Sequence, residues 1–141
     1  MLYSCTLVEN IVELRGPIYY PSRSDGWQVI SFVMTCVFFG GARLDVDEHY
    51  ARKDKTGPTR TILRNCTFQY FDEARHLVFL LDTHGCDVPL DQPRHIHPRR
   101  HEVRLEDGDP ALNGFSLRGF TFLEAFTLVQ NHLKGDKLPW E

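Results

Sequence analysis

Four side chains in this sequence could do chemistry together: Asp82, His84, His95 and His97. Asp82 and His84 are two apart, as are His95 and His97. In extended backbone, residues i and i+2 leave the chain on the same side, so each pair can aim at one point. Imidazole titrates near neutral pH, so a convergent group of this kind could carry protons in phosphodiester cleavage. The same imidazoles and carboxylate could instead hold Zn²⁺ or a similar divalent ion, the one cofactor these residues suit. Two bland roles compete with both. An aspartate at a strand end commonly caps a turn, and His84 before Gly85 could belong to that turn. Pro93 and Pro98 stiffen the loop that presents His95 and His97, and His101 could join the group if a strand starts at Glu102.

Positive charge gathers around the same residues. Arg94, Arg99, Arg100 and Arg104 against Glu102 give a local balance of +3, and the stretch Arg52 to Arg64, which includes Arg60, gives +4. If the two stretches meet, Arg60, Arg64, Arg94, Arg99 and Arg100 form a surface that holds phosphate without reading bases. Across the whole chain the formal net charge is -3, which argues against a globally basic nucleic-acid binder.

The elements that must position these groups follow from hydrophobic pattern. Leu77 to Leu81 is a continuous apolar run that turns polar at Asp82, as a buried central strand does on reaching its end. Ile30, Phe32, Met34, Cys36 and Phe38 alternate with Ser31 and Thr35 between Trp27 and Phe39, which reads as a strand on a core. Gly40-Gly41 and a second alternating run, Ala42 to Tyr50, complete a hairpin, because a tight turn wants positive φ. A further hairpin runs Ile62 to Phe71, turns at Asp72 to Arg75, and returns through Leu77 to Asp82. Residues 4 to 15 fit helix or strand equally, Gly16-Pro17 ends that element, and Tyr19 to Gly26 reads as loop. Cys86 to Ser116 is expected to be mostly loop, with a short strand near Glu102 to Leu105. Thr121 and Glu124 form a capping box before an apolar stripe of Phe122, Phe126, Val129 and Leu133. His49, His76 and His132 are expected to face solvent.

These elements predict one α+β domain over residues 1–141: an antiparallel sheet of four to five strands packed by a C-terminal helix at Thr121 to Lys134. The apolar runs are too short to span a bilayer, and the first residues lack a basic leader. The four cysteines form no Cys-x-x-Cys pair, which argues against a zinc knuckle and for reduced thiols in a cytoplasmic protein. No Gly-x-Ser-x-Gly elbow supports a serine triad.

Four stretches also resemble a known family: Gly41 to Glu48 (GARLDVDE), the aromatic strand Phe68 to Asp72 (FQYFD), then Leu77 to Asp82 (LVFLLD), then Pro93 to His97 (PRHIH). Their order, followed by a capped C-terminal helix, resembles the TumE-type toxins of bacterial toxin–antitoxin modules over roughly residues 40–134. Asp82 matches the family's strand-end aspartate, and Pro93, His95 and His97 match its proline and histidines. Leu80 stands where the family has a basic residue, and Thr83 where it has asparagine. The resemblance implies a divergent small toxin acting on RNA or translation, silenced by an antitoxin protein, with no membrane association and a homo-oligomer as one further assembly. A metal-binding domain and a non-enzymatic interaction module are the alternatives.

Overall fold

The computed structural model describes residues 11–24, 27–53, 62–82, 88–89, 95–98, 104–118 and 120–141. Its strands are β1 (Ile11–Ser24), β2 (Trp27–Phe38), β3 (Arg43–Lys53), β4 (Ile62–Phe71), β5 (Leu77–Asp82), β6 (Val88–Pro89), β7 (His95–Pro98) and β8 (Leu105–Glu106). A short 3₁₀ turn at Pro110–Leu112 precedes the helix α1 (Phe122–Leu133). The expected α+β architecture is present, with one antiparallel sheet and one C-terminal helix.

The sheet is larger than the four to five strands expected. Seven strands lie in series, β1-β2-β3-β4-β5-β7-β8, and two-residue β6 joins β4 beyond the end of β5. The extra strands come from stretches read as loop. Tyr19 to Ser24 is the second half of β1, paired with β2 from Tyr19↔Phe32 to Ser24↔Trp27. Proline is tolerated there because β1 is the outermost described strand, where half of the N–H groups have no neighbour to meet. Gly16-Pro17 does not end the strand. The register shifts between Arg15 and Ile18, Gly16 takes φ +90°, and a Cβ there would lie 2.6 Å from the Val33 carbonyl oxygen. A bulge that only glycine can occupy carries the strand past this point.

Likewise β6, β7 and β8 lie inside the expected loop of Cys86 to Ser116; of the short strand expected near Glu102 to Leu105, residues 102 and 103 lie outside the described residues, and a strand is present at Leu105–Glu106. Elements of two to four residues have too few positions to show a period, so pairing with β5 makes β7 a strand.

The hairpin at Gly40-Gly41 forms as expected, with Val37 opposite Arg43, and alternation then sorts side chains onto two faces. Met34, Cys36, Phe38, Leu44, Val46, Phe68, Tyr70, Phe79, Leu81 and Ile96 are all buried on one face. Against them packs α1 through Phe122, Ala125, Phe126 and Val129, with Phe126 and Phe38 rings 5.6 Å apart. Phe120 packs edge-on to Phe68 at 5.8 Å and Trp140 edge-on to Phe79 at 5.5 Å, extending the same core. Burying each large apolar side chain contributes about 1.5–3 kcal/mol.

At the start of α1 the Thr121 N–H donates to the Glu124 carboxylate, the reach-back half of the capping box. His132 is half-buried rather than solvent-facing: its Nδ1 lies 3.0 Å from the Tyr70 hydroxyl, which needs a partner once its ring is in the core. Cys36 and Cys66 are buried, and burial pushes the Cys36 thiol up to about 12. No described helix is long and apolar enough to cross a membrane.

Candidate functional site

The face of the sheet opposite α1 carries the polar residues, and the site lies there. In β5, Phe79 and Leu81 are buried in the core, so alternation puts Leu80 and Asp82 on the opposite face. In β7, Ile96 is fully buried, so His95 and His97 leave on that same opposite face. The register then decides the meeting. Asp82 pairs with His95 and Leu80 with His97, and directly opposed antiparallel residues share a face with Cβ atoms about 4.5–5.5 Å apart.

The three groups converge. His95 Nε2 contacts Asp82 Oδ1, and His97 Nε2 lies 3.8 Å from the same oxygen. One ligand-capable atom from each residue falls within 4.8 Å of the other two. The rings of His95 and His97 stack edge-on with centroids 4.8 Å apart. Exposure grades across the group: the His95 side chain is 7% exposed, Asp82 30% and His97 43%. The group is thus anchored at His95 and reaches solvent at His97. Asp82 Oδ1 is itself buried, and among the described residues no hydrogen bond is aligned on it despite the two imidazoles facing it.

One further residue stands beside this group. Glu106 in β8 is paired with His95, so it stands on the same face, on the side of His95 away from Asp82. Its carboxylate accepts from Arg104 at 3.2 Å on an exposed rim. In sequence, Glu106 counts only as part of an acidic run. It joins the site because Leu105 points into the core and fixes the register of β8.

Of the residues singled out in sequence, Asp82, His95 and His97 are brought together. His84, Arg60, Arg94, Arg99, Arg100 and His101 lie outside the described residues. Arg64 is near the start of β4, opposite Val88 of β6.

The same open face holds a second array that the motif search did not find. Ser31 Oγ and His49 Nδ1 share a hydrogen bond of 2.7 Å, and His49 Nε2 lies 2.9 Å from Asp47 Oδ1. The hairpin turn carried the signal, since a register centred on Gly40-Gly41 places Ser31 opposite His49. Both ring nitrogens are engaged, and the surrounding backbone N–H groups among the described residues belong to paired sheet strands rather than to an oxyanion hole. Beside this array is a shallow cavity of about 390 Å³, lined in part by Arg15, Thr35, Arg43, Asp45, Asp47 and Gln69. Arg43 in it pairs with Asp45 at 3.1 Å and lies over the Phe71 ring.

No protein-family model, curated protein or solved structure matches this chain. Its functional reading therefore rests on its own residues.

Proposed function

We propose that this protein is a toxin-like enzyme of a bacterial toxin–antitoxin module that acts on RNA through Asp82, His95 and His97. The observation that carries the reading is the convergence of one carboxylate oxygen and two imidazole nitrogens within 4.8 Å on a rigid pair of strands. An imidazole that reaches solvent can take a proton from a ribose hydroxyl near neutral pH, and His97 is the exposed member. Asp82 orients that ring through its carboxylate, and buried His95 holds Asp82 in turn. The order of motifs from Gly41 to His97 resembles that of TumE-type toxins, which supports RNA or the translation machinery as the target.

Phosphate would be held by cations that flank β7 in the chain: Arg94 directly precedes His95, and Arg99-Arg100 directly follow Pro98. Of the acidic residues of the open face, Asp45 is offset by Arg43 at 3.1 Å. An antitoxin protein is the expected partner. Exposed Ile18 and Val33, paired across β1 and β2 on the open face, support a protein-binding surface there, and they are what favours a purely interaction-based role as the second reading.

The test is purified protein incubated with total RNA, wild type beside Asp82→Asn and His97→Ala. Wild type should fragment RNA, and each variant should lose about 10²–10⁴-fold of the rate, the range for a positioned acid or base. RNA profiles indistinguishable among the three proteins would remove the catalytic claim and leave the interaction role.

A further inference from the structure

The two imidazoles stand too close to serve a phosphodiester from opposite sides. In an in-line displacement the attacking and leaving oxygens flank the phosphorus, and an acid and a base must each lie about 2.6–3.2 Å beyond one of them. Rings with centroids 4.8 Å apart, both turned to one carboxylate oxygen, cannot span that distance. The arrangement suits a different task.

We propose that Asp82, His95 and His97 bind one divalent transition-metal ion, and that Glu106 supplies a fourth ligand. An ion with bonds of about 2.0–2.2 Å to N and O draws its ligand atoms to within about 3.2–3.6 Å of one another in a tetrahedral site. The three donor atoms, all within 4.8 Å, need only small side-chain rotations to meet that requirement. Asp82 Oδ1 gives the second observation. It is a buried carboxylate oxygen with two imidazole nitrogens before it and no hydrogen bond from the described residues aligned on it, and a cation between the three would give that oxygen a partner.

Two neighbouring strands, pinned by Leu81 and Ile96 in the core, present these donors, so little ordering is left to do on binding. Glu106 flanks His95 from β8. Its side chain is 60% exposed beside Arg104, where the carboxylate can turn towards the ion without leaving solvent. Two imidazoles among the donors select zinc, iron, cobalt or nickel over magnesium, which prefers all-oxygen sites. Bound there, with both imidazoles occupied as ligands, the ion would supply Lewis-acid stabilisation of phosphate charge and an ion-bound hydroxide as the base in place of His97.

This inference concerns the same residues as the ribonuclease reading but stands or falls separately. Protein without a polyhistidine tag, stripped with chelator and checked for folding by circular dichroism, is titrated calorimetrically with Zn²⁺ and, separately, with Mg²⁺. One Zn²⁺ per chain should bind, with no Mg²⁺ heat. His97→Ala, at a half-exposed position where truncation leaves no cavity, should weaken Zn²⁺ binding at least 100-fold, and Glu106→Gln about tenfold, beyond the effect of an ordinary surface change. Co²⁺ substituted into wild type should show a tetrahedral absorption band that Glu106→Gln alters.

Folded wild type that takes up no Zn²⁺, or His97→Ala that binds as tightly as wild type, overturns the metal site. Glu106→Gln identical to wild type in affinity and Co²⁺ spectrum overturns the fourth ligand. Zn²⁺ binding without RNA cleavage removes the ribonuclease reading and leaves the metal site, and RNA cleavage by a protein that binds no Zn²⁺ does the reverse.

Discussion

Truncating Phe126 to alanine tests whether α1 is what closes the core behind the site. Phe126 is 1% exposed, with its ring 5.6 Å from Phe38 across the helix–sheet interface and 5.6 Å from Phe122 along the helix. Removing a buried phenylalanine side chain costs about 3–5 kcal/mol, through lost transfer energy and the cavity left behind. A domain of ordinary stability has about 5–15 kcal/mol in all, so Phe126→Ala should remove about a fifth of it at the least. Leu123 is the control: it lies one turn-position earlier on the same helix but is 48% exposed, so Leu123→Ala should shift stability by about 0.5 kcal/mol or less. Urea unfolding followed by far-ultraviolet circular dichroism reads both. Because Asp82, His95 and His97 lie on the far side of the sheet, folded Phe126→Ala should keep the wild-type response of that site. A loss below about 1 kcal/mol for Phe126→Ala, or equal losses for the two variants, would refute the docking of α1 on β2 to β4.

Two further outcomes follow from other parts of the fold. Gly16→Ala sets a side chain in a left-handed conformation with its Cβ 2.6 Å from the Val33 carbonyl oxygen, and should cost about 1–3 kcal/mol, read by urea unfolding with amide exchange quickened in β1 and β2. Unchanged exchange would mean that β1 does not bulge there. Alkaline pH should destabilise the protein. Burial pushes the Cys36 thiol and the Tyr70 hydroxyl each up to about 12, from ordinary values of 9.0 and 10.0. The folded state then keeps protons that the unfolded chain has released, so their stabilisation is complete below about pH 9, falls as pH rises towards 12 and is lost beyond it. Equal unfolding free energies at pH 8 and pH 11.5 would contradict the burial of both groups.

Local physics alone accounts for much of this protein. Alternation over Trp27 to Phe39, the Gly40-Gly41 turn and the stripe Phe122, Phe126, Val129 each depend on neighbours in sequence, so β2, β3 and α1 were legible there. The end of the apolar run at Asp82 was legible for the same reason, and it marked one half of the site. The other half needed long-range pairing. Nothing local makes His95–Pro98 a strand; β5 does, by offering it an edge. The register Asp82↔His95 follows from which residues fill the core, because Leu81 and Ile96 must both point inward. A slip of one residue would have turned both histidines into the core. Glu106 reaches His95 by the same logic one strand further on. Sequence by itself thus determined the residue types that can carry protons or bind an ion, while tertiary structure decided which of them share a face and a rung. Side-chain chemistry is local, but strand pairing is settled by burial across the whole sheet.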